Sequence, residues 1–279
     1  MNKNNWQSIE SHQGTGTPRV SIVAGTHGDE LLGECVINAL KSEVLLRGCL
    51  SFIIAHPLAR IKKKRFINQD LNRSFPGKQR GCIEDRLAFD LMKRLSSSDL
   101  VIDIHATNSS IDSIAIVTKL TSSVRKILQW LPIKNVALIE PNVFGNKEMI
   151  GHVKTGVALE YGPEKSGKNN RRAISHVRAL LRNLSIINGP KVISTKKTLY
   201  RIYGQYKVPK GFIETNGLKD MRRIRKGQLI GSVKTKKIYA KESFYPIFLG
   251  KGRYNGTLSL KAQQERILDV SDKRKTPEI

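Results

Sequence analysis

Cysteines and long hydrophobic runs are scarce in this chain of 279 residues, and each shortage excludes a class of protein. The three cysteines, Cys35, Cys49 and Cys82, are widely spaced and form no Cys-x-x-Cys pair. An odd and scattered set argues against a disulfide framework or a thiolate zinc site, and it predicts a reducing, cytoplasmic location. The polar amino terminus lacks the apolar core of a secretory signal. No apolar run reaches the roughly 18 residues of a spanning helix, so we expect no membrane partner.

Aromatic residues are also few, at 6%, and acidic residues are heavily outnumbered. There are 23 Asp plus Glu against 49 Lys plus Arg, which gives a net charge of +26. Such an excess attracts polyanions and anionic small molecules. The basic residues are nevertheless spread from Lys3 to Lys275, without a zinc finger, an aromatic RNA-binding strand or a long basic block. We therefore expect no specific nucleic-acid partner, and a basic nucleic-acid-binding protein stays the alternative from another class.

Short β-branched runs alternate with segments of helical apolar spacing over the first two thirds of the chain. The predicted strands are residues 19–25, 49–55, 99–105, 114–118, 136–139 and 155–161. The predicted helices are residues 31–46, 83–95, 122–130 and 169–184. This alternation indicates an α/β fold, with a sheet flanked by helices. From residue 191 the chain changes to short β-type runs separated by glycine and lysine, so we predict an α/β domain over 1–188, a smaller β-rich domain over 189–265 and a polar tail over 266–279.

Polar side chains that a packed core would not favour stand at the ends of three predicted strands. His27 and Glu30 follow the first strand, His105 ends the strand 99–105, and Glu160 lies near the end of 155–161. In open α/β sheets ligands bind beyond the carboxyl ends of strands, so these groups are expected to converge. Two imidazoles and a carboxylate form a catalytic zinc set that leaves one position for water. Singly, each has a simpler explanation, such as a helix-dipole contact, a core histidine or an ion pair; together they favour a site.

The order of several motifs resembles the aspartoacylase and succinylglutamate desuccinylase family, a branch of the zinc carboxypeptidase fold. The matching stretches are V-A-G-T-H-G-D-E at 23–30, H-P at 56–57, D-L-N-R-S-F-P-G at 70–77, D-I-H at 103–105 and G-V-A-L-E-Y-G-P at 156–163. They keep their order over residues 19–163. A weaker similarity is Y-P-I-F at 245–248 with Tyr254 after it.

The resemblance implies one zinc ion per chain and a role for each matching residue. It implies zinc ligation by His27, Glu30 and His105, with Glu160 as the general base that activates the zinc water. It also implies that Arg65 stabilises the oxyanion, and that Asn72, Arg73 and Tyr254 bind the substrate. Asp103 shares a strand face with His105, and the sequence leaves open whether it supports that histidine or makes an ordinary structural hydrogen bond or ion pair.

One departure from the family concerns the substrate. The family's aspartoacylases carry a further arginine about ten residues before the general base, and Ile150 stands at that position here. Lys147 and Lys154 are the candidate replacements. We predict a zinc-dependent amidohydrolase whose partner is a small anionic N-acyl amino acid, with N-acyl-L-aspartate as the first choice. Succinylglutamate desuccinylation or deacylation of another small amide is the alternative function. The sequence leaves open whether the protein forms a homo-oligomer.

Overall fold

The computed structural model describes residues 7–162, 167–194, 196–250 and 256–265, and the backbone of 268–269. The helices are α1 (Leu32–Leu40), α2 (Pro57–Ile61), α3 (Ile83–Leu95), α4 (Ser122–Trp130), α5 (Pro141–Phe144) and α6 (Gly167–Asn183). The first strands are β1 (Ile9–Thr15), β2 (Arg19–Ala24), β3 (Gly48–Ile54), β4 (Leu100–Ala106), β5 (Ile114–Val117), β6 (Asn135–Ile139) and β7 (Gly156–Tyr161). The later strands are β8 (Lys196–Lys207), β9 (Phe212–Glu214), β10 (Leu229–Val233), β11 (Lys236–Tyr239), β12 (Tyr245–Ile247), β13 (Thr257–Gln264) and β14 (Leu268–Asp269).

One large mixed sheet organises the molecule. Its strands follow the order β1-β3-β2-β4-β7-β5-β6-β8-β13-β12, and β14 pairs with β8 outside this path. Strands β3, β2, β4 and β7 are mutually parallel, so their carboxyl ends lie at one edge. The register sets Ala24 beside Ile104 and His105 beside Glu160. A separate antiparallel sheet has the order β11-β10-β9. The predicted mixed α/β sheet with a smaller β-rich part is confirmed.

Helices cover both faces of the parallel strands because side chains alternate along each strand. Val20 and Ile22 of β2 pack into a core with α1, α4 and α6. Val23, on the other face, packs with Leu87 and Leu91 of α3. The ends of the parallel strands are thereby fixed between two apolar layers.

The structure differs from the sequence expectations at two places near the amino end. Strand β1 was not predicted, because it is mostly polar and exposed and gains its place by antiparallel pairing with β3. Helix α1 ends at Leu40, whereas the prediction continued to residue 46. The later residues leave the helix because Leu45 pairs with Ile187 and the Leu46 amide donates to the carbonyl of Ile186.

The large sheet continues beyond residue 189, since β8, β13 and β12 extend it. Only β9, β10 and β11 form their own sheet among the described strands. The division into domains at residue 188 stays a prediction. In the part of the chain that the structure describes, no helix combines the length and apolarity that a membrane span requires.

Candidate metal centre and substrate pocket

Three candidate ligands meet at the carboxyl edge of the parallel strands. His27 and Glu30 lie in the turn between β2 and α1, and His105 lies near the end of β4. One donor atom from each of them lies within 4.8 Å of the donors of the other two. All three side chains are buried, with 4%, 3% and 2% of their surface exposed. Histidine nitrogens and a carboxylate oxygen at this spacing are a donor set that suits zinc.

The orientation of both imidazoles fits a metal site. His27 Nδ1 lies 2.9 Å from Glu30 Oε1, and His105 Nδ1 lies 3.0 Å from Glu30 Oε2. The opposite nitrogens face other carboxylates, because His27 Nε2 is 3.1 Å from Asp70 Oδ1 and His105 Nε2 is 2.7 Å from Asp103 Oδ2. A metal-ligating histidine usually donates its other ring N–H to a carboxylate in this way. Both Nδ1 atoms therefore point toward the Glu30 carboxylate, and together with it they form the donor set that would hold an ion.

Asp103 and Asp70 are themselves held in place. Asp103 Oδ1 accepts a hydrogen bond of 2.9 Å from the Thr26 hydroxyl. Asp70 Oδ1 also accepts one of 2.8 Å from the Asn72 amide. Burial raises the pKa of Asp70, but the hydrogen bond and charge of His27, with Arg65 and Arg73, hold that pKa well below its usual range. Asp103 therefore contacts His105 as one of the two sequence interpretations expected, whereas Asp70 was missed.

Glu160 stands beside this cluster on β7, paired in register with His105. Its Oε2 atom is buried and has no hydrogen-bond partner among the described residues. Burial raises the pKa of Glu160, and the nearby Glu30 charge adds to the rise, although His105 opposes it. A carboxylate that lines a cleft and has a raised pKa is a candidate for accepting and returning a proton.

Arg65 reaches the same centre from the loop after α2. Its Nη1 lies 3.0 Å from Glu30 Oε1, and its Nη2 lies 3.5 Å from Asp70 Oδ2. Glu84 of α3 holds this loop in place. Its Oε1 accepts hydrogen bonds from the amides of Ile67 and Asn68 at 2.7 and 3.0 Å. The position of Arg65 is thus tied to the core.

His56 supports Glu84 from the other side. Its Nε2 lies 3.0 Å from Glu84 Oε1, and both side chains are fully buried. Burial lowers the pKa of His56 and raises that of Glu84, but the hydrogen bonds that Glu84 accepts bring its own pKa below the usual value. The histidine of the H-P motif therefore positions the loop and does not line the pocket.

Asn72 and Arg73 lie in a short 3-10 turn, Leu71–Arg73, at the wall of the pocket. Asn72 Oδ1 accepts a hydrogen bond of 3.2 Å from the Met149 amide. The Arg73 guanidinium stacks 3.6 Å from the centre of the Phe144 ring, and its Nη1 donates to the Asn72 carbonyl at 2.5 Å. Both side chains border the cavity.

The pocket in front of the cluster has a volume of about 470 Å³. His27, His105, Arg65, Arg73 and Glu160 all line it. The lining also includes an apolar wall, formed by Ile116, Ile139, Phe144, Ile150, Leu258 and Leu260. A concave site with an apolar wall and a few convergent polar groups is typical of a small-molecule pocket.

Two predicted residues do not line the described part of this pocket, and a third falls outside the described residues. Tyr254 lies outside the described residues. Lys147 and Lys154, the candidate replacements for the family's further arginine, do not line the pocket, and Lys154 instead pairs with Asp99 at 3.0 Å. Ile150, which occupies that arginine's position, is buried in the apolar wall.

Two curated relatives show similar sequences over part of their length. An N-acyl-aromatic-L-amino acid amidohydrolase (carboxylate-forming) of Xenopus tropicalis is 26% identical over 186 residues, which is 58% of this chain and 60% of the relative. A probable aspartoacylase of Prochlorococcus marinus is 29% identical over 189 residues, 60% of each protein. Each match thus spans about 60% of the relative's length.

A solved structure and a family model extend the comparison. The structure of murine aminoacylase 3 superposes with a TM-score of 0.76 at 20% identity, and the match covers 91% of this chain and 98% of that one, which shows a shared fold. The model of the succinylglutamate desuccinylase/aspartoacylase catalytic domain matches residues 16–186, more than half of the chain and all of the candidate metal centre. The chain therefore belongs to the succinylglutamate desuccinylase/aspartoacylase family.

Proposed function

We propose that the protein is a zinc-dependent amidohydrolase that removes the acyl group from an N-acyl amino acid. The observation that carries this proposal is the His27–Glu30–His105 cluster, which borders the same pocket as Glu160. The Oε2 atom of Glu160 has no hydrogen-bond partner among the described residues. Held by these three residues, a zinc ion would polarise the scissile carbonyl and make a water molecule more acidic. The named relatives are compatible with this chemistry.

The chain's own residues would then move the proton and stabilise charge. Glu160 takes a proton from the attacking water and returns it to the leaving nitrogen, so that the C–N bond breaks and an amine and a carboxylate are released. Arg65 donates hydrogen bonds to the oxygen that gains charge at the carbonyl carbon. Arg73, with Asn72 beside it, binds the α-carboxylate of the substrate, because a planar guanidinium pairs well with a carboxylate.

The side chain of the substrate is a separate question. The sequence predicts aspartate, which needs a second cation, and the described lining of the pocket includes Arg65 and Arg73 but no lysine. A side chain that is not acidic is therefore the second candidate, favoured by Ile150 and the rest of the apolar wall. Succinylglutamate, the other substrate considered, also carries several carboxylates. Its desuccinylation therefore needs the same additional cation as the cleavage of an N-acyl-aspartate.

The test is a panel of N-acyl amino acids, assayed by amine release with zinc-loaded and metal-stripped protein. We expect turnover of at least one member, loss of turnover after stripping, and recovery on addition of zinc. A gel-shift titration across salt examines the rival nucleic-acid function. Steeply salt-dependent binding without any hydrolysis would favour the rival.

A further inference from the structure

A buried carboxylate in the pocket has no part in the proposed reaction. Glu148 precedes the 3-10 turn Met149–Gly151, is 4% exposed and lines the cavity. Its Oε1 atom is fully buried and has no hydrogen-bond partner among the described residues. Glu148 thus borders the substrate space, and one oxygen of its carboxylate has no bond of its own.

An unpartnered buried carboxylate oxygen is costly, and folded proteins nearly always supply it with a donor. Each arginine of the described lining contacts groups other than Glu148. Arg65 contacts Glu30 and Asp70, and Arg73 contacts the Asn72 carbonyl and the Phe144 ring. The Glu148 carboxylate, which lines the pocket, is then expected to find a donor on a molecule that enters it.

The place of Glu148 tells which part of the substrate it would meet. The next residue, Met149, donates its amide to Asn72 Oδ1 at 3.2 Å, which ties this turn to the wall that holds Arg73. Ile150 follows, in the apolar wall of the pocket. On this turn a carboxylate therefore stands two residues from an apolar side chain that lines the pocket, so an apolar chain with a cationic end fits there.

We infer that Glu148 binds a cationic group at the end of the substrate's side chain, so that the preferred substrates are N-acyl derivatives of basic amino acids. The inference rests on the proposed amidohydrolase function for the reaction itself. The apolar wall would contact the methylene groups of such a side chain, while Arg73 holds the α-carboxylate. An ammonium group supplies the charged donor that the Glu148 oxygen lacks.

The experiment uses two substrates that differ only at the end of the side chain, Nα-acetyl-L-lysine and Nα-acetyl-L-norleucine. We expect the zinc-loaded protein to prefer the lysine derivative in kcat/KM by about 10- to 100-fold, the range for a hydrogen bond to a charged group. Glu148→Gln keeps the shape and removes the charge, so it should lose most of this preference through KM for the lysine derivative and leave the norleucine derivative nearly unaffected. Glu140→Gln removes a nearby carboxylate that does not line the pocket, and it should keep the preference.

Equal kcat/KM for the two substrates, or a preference that survives in Glu148→Gln, overturns the inference while the proposed function stands. If neither derivative is cleaved, the cation site is tested by calorimetric binding of free L-lysine and free L-norleucine to the zinc-loaded protein. Tighter binding of lysine that Glu148→Gln weakens supports the site even if the reaction is a different one. Equal or undetectable binding of the two amino acids overturns it.

Discussion

Carboxylates hold each imidazole of the candidate metal centre from both sides. Glu30 faces both Nδ1 atoms, while Asp70 and Asp103 face the Nε2 atoms of His27 and His105. These contacts fix the rotation of both rings before any ion binds. The arrangement predicts that the outer carboxylates contribute to metal affinity although they are not ligands.

Asp70→Asn and Asp103→Asn should each weaken zinc binding by about 10- to 100-fold, because an amide is a poorer acceptor for the ring N–H and no longer favours its orientation. Competition with a chromogenic chelator measures the affinity. Asp112→Asn, which changes a mostly exposed carboxylate paired with Arg172, is the control. Unchanged affinity in both variants would show that the contacts are only structural.

Glu160→Gln keeps the size of the side chain and removes the base. We expect zinc to stay bound and kcat to fall by about 10²- to 10⁴-fold, the usual contribution of general acid–base catalysis. Metal analysis and steady-state kinetics on the same preparation measure both quantities. Normal turnover would place the proton acceptor elsewhere, and loss of zinc would make Glu160 a ligand.

Substitution of Arg73 and of Arg65 should affect different kinetic constants. Arg73→Ala should chiefly raise KM, by a factor that corresponds to about 2–5 kcal/mol if its pair with the α-carboxylate is fully desolvated. Arg65→Ala should chiefly lower kcat, since its hydrogen bonds strengthen in the transition state. Substrates with a free or an amidated α-carboxyl group give the control. A preference for the free acid that survives in Arg73→Ala would contradict the assignment.

The sequence predicted the residues at strand ends because strand patterns and motif order place them there. Asp70 was not predicted to contact His27, since 43 positions separate them and the loop has no periodicity. Glu148 gave no signal either, because a lone glutamate before Met149 is ordinary surface composition. Its burial is a property of the packed turn and is invisible in the sequence.

Secondary-structure elements position the side chains of the site. Strands β4 and β7 present His105 and Glu160 side by side, and α3 supplies Glu84, which anchors the loop that contains Arg65. Helix α6 is fixed to β7 by the contact between the Tyr161 hydroxyl and His176 Nδ1, at 3.1 Å. This contact ties α6 to the strand that bears Glu160.

This contact predicts how stability depends on pH. Burial, with the charges of Arg172 and Lys197, lowers the pKa of His176 to about 4, below its ordinary value of 6.5. Between these two values the unfolded state binds the proton and the folded state does not, so stability falls as the pH is lowered from 6.5 to 4. His176→Gln should flatten this fall, by up to about 3 kcal/mol at pH 4.

Urea unfolding at several pH values measures the effect. The slope of His176→Gln gives the contribution of all other groups, and the additional slope of the wild type is the contribution of His176. The control is His12→Gln, because the His12 side chain is 59% exposed. An identical slope in wild type and His176→Gln would mean that His176 is protonated in the folded protein.

Elements with a strong apolar period were predicted well, and those stabilised by pairing were not. Helix α3 and strand β4 follow their patterns because each buries an apolar face. Strand β1 has no such face, and its backbone is ordered by β3. The end of α1 is likewise set by a contact with residues 186–187, about 140 positions away in the chain.

The pocket belongs to the whole molecule. Its described lining runs from His27 to Leu260, so residues far apart along the chain, including those of β13, form one cavity. Local patterns predicted β-type runs there but not which of them would close the cavity. The contacts described at the site do not explain the net charge of +26. The oligomeric state and the cytoplasmic location stay predictions.

Zinc stoichiometry measured together with amine release tests the central claim most directly. Metal-stripped wild type titrated with zinc should gain activity in proportion to occupancy and saturate at one ion per chain, with an N-acyl amino acid as substrate. His27→Ala and His105→Ala should each bind substoichiometric zinc and show no comparable turnover, because each loses one of three ligands. Full zinc occupancy in both variants, or undiminished activity in the stripped wild type, would contradict the account.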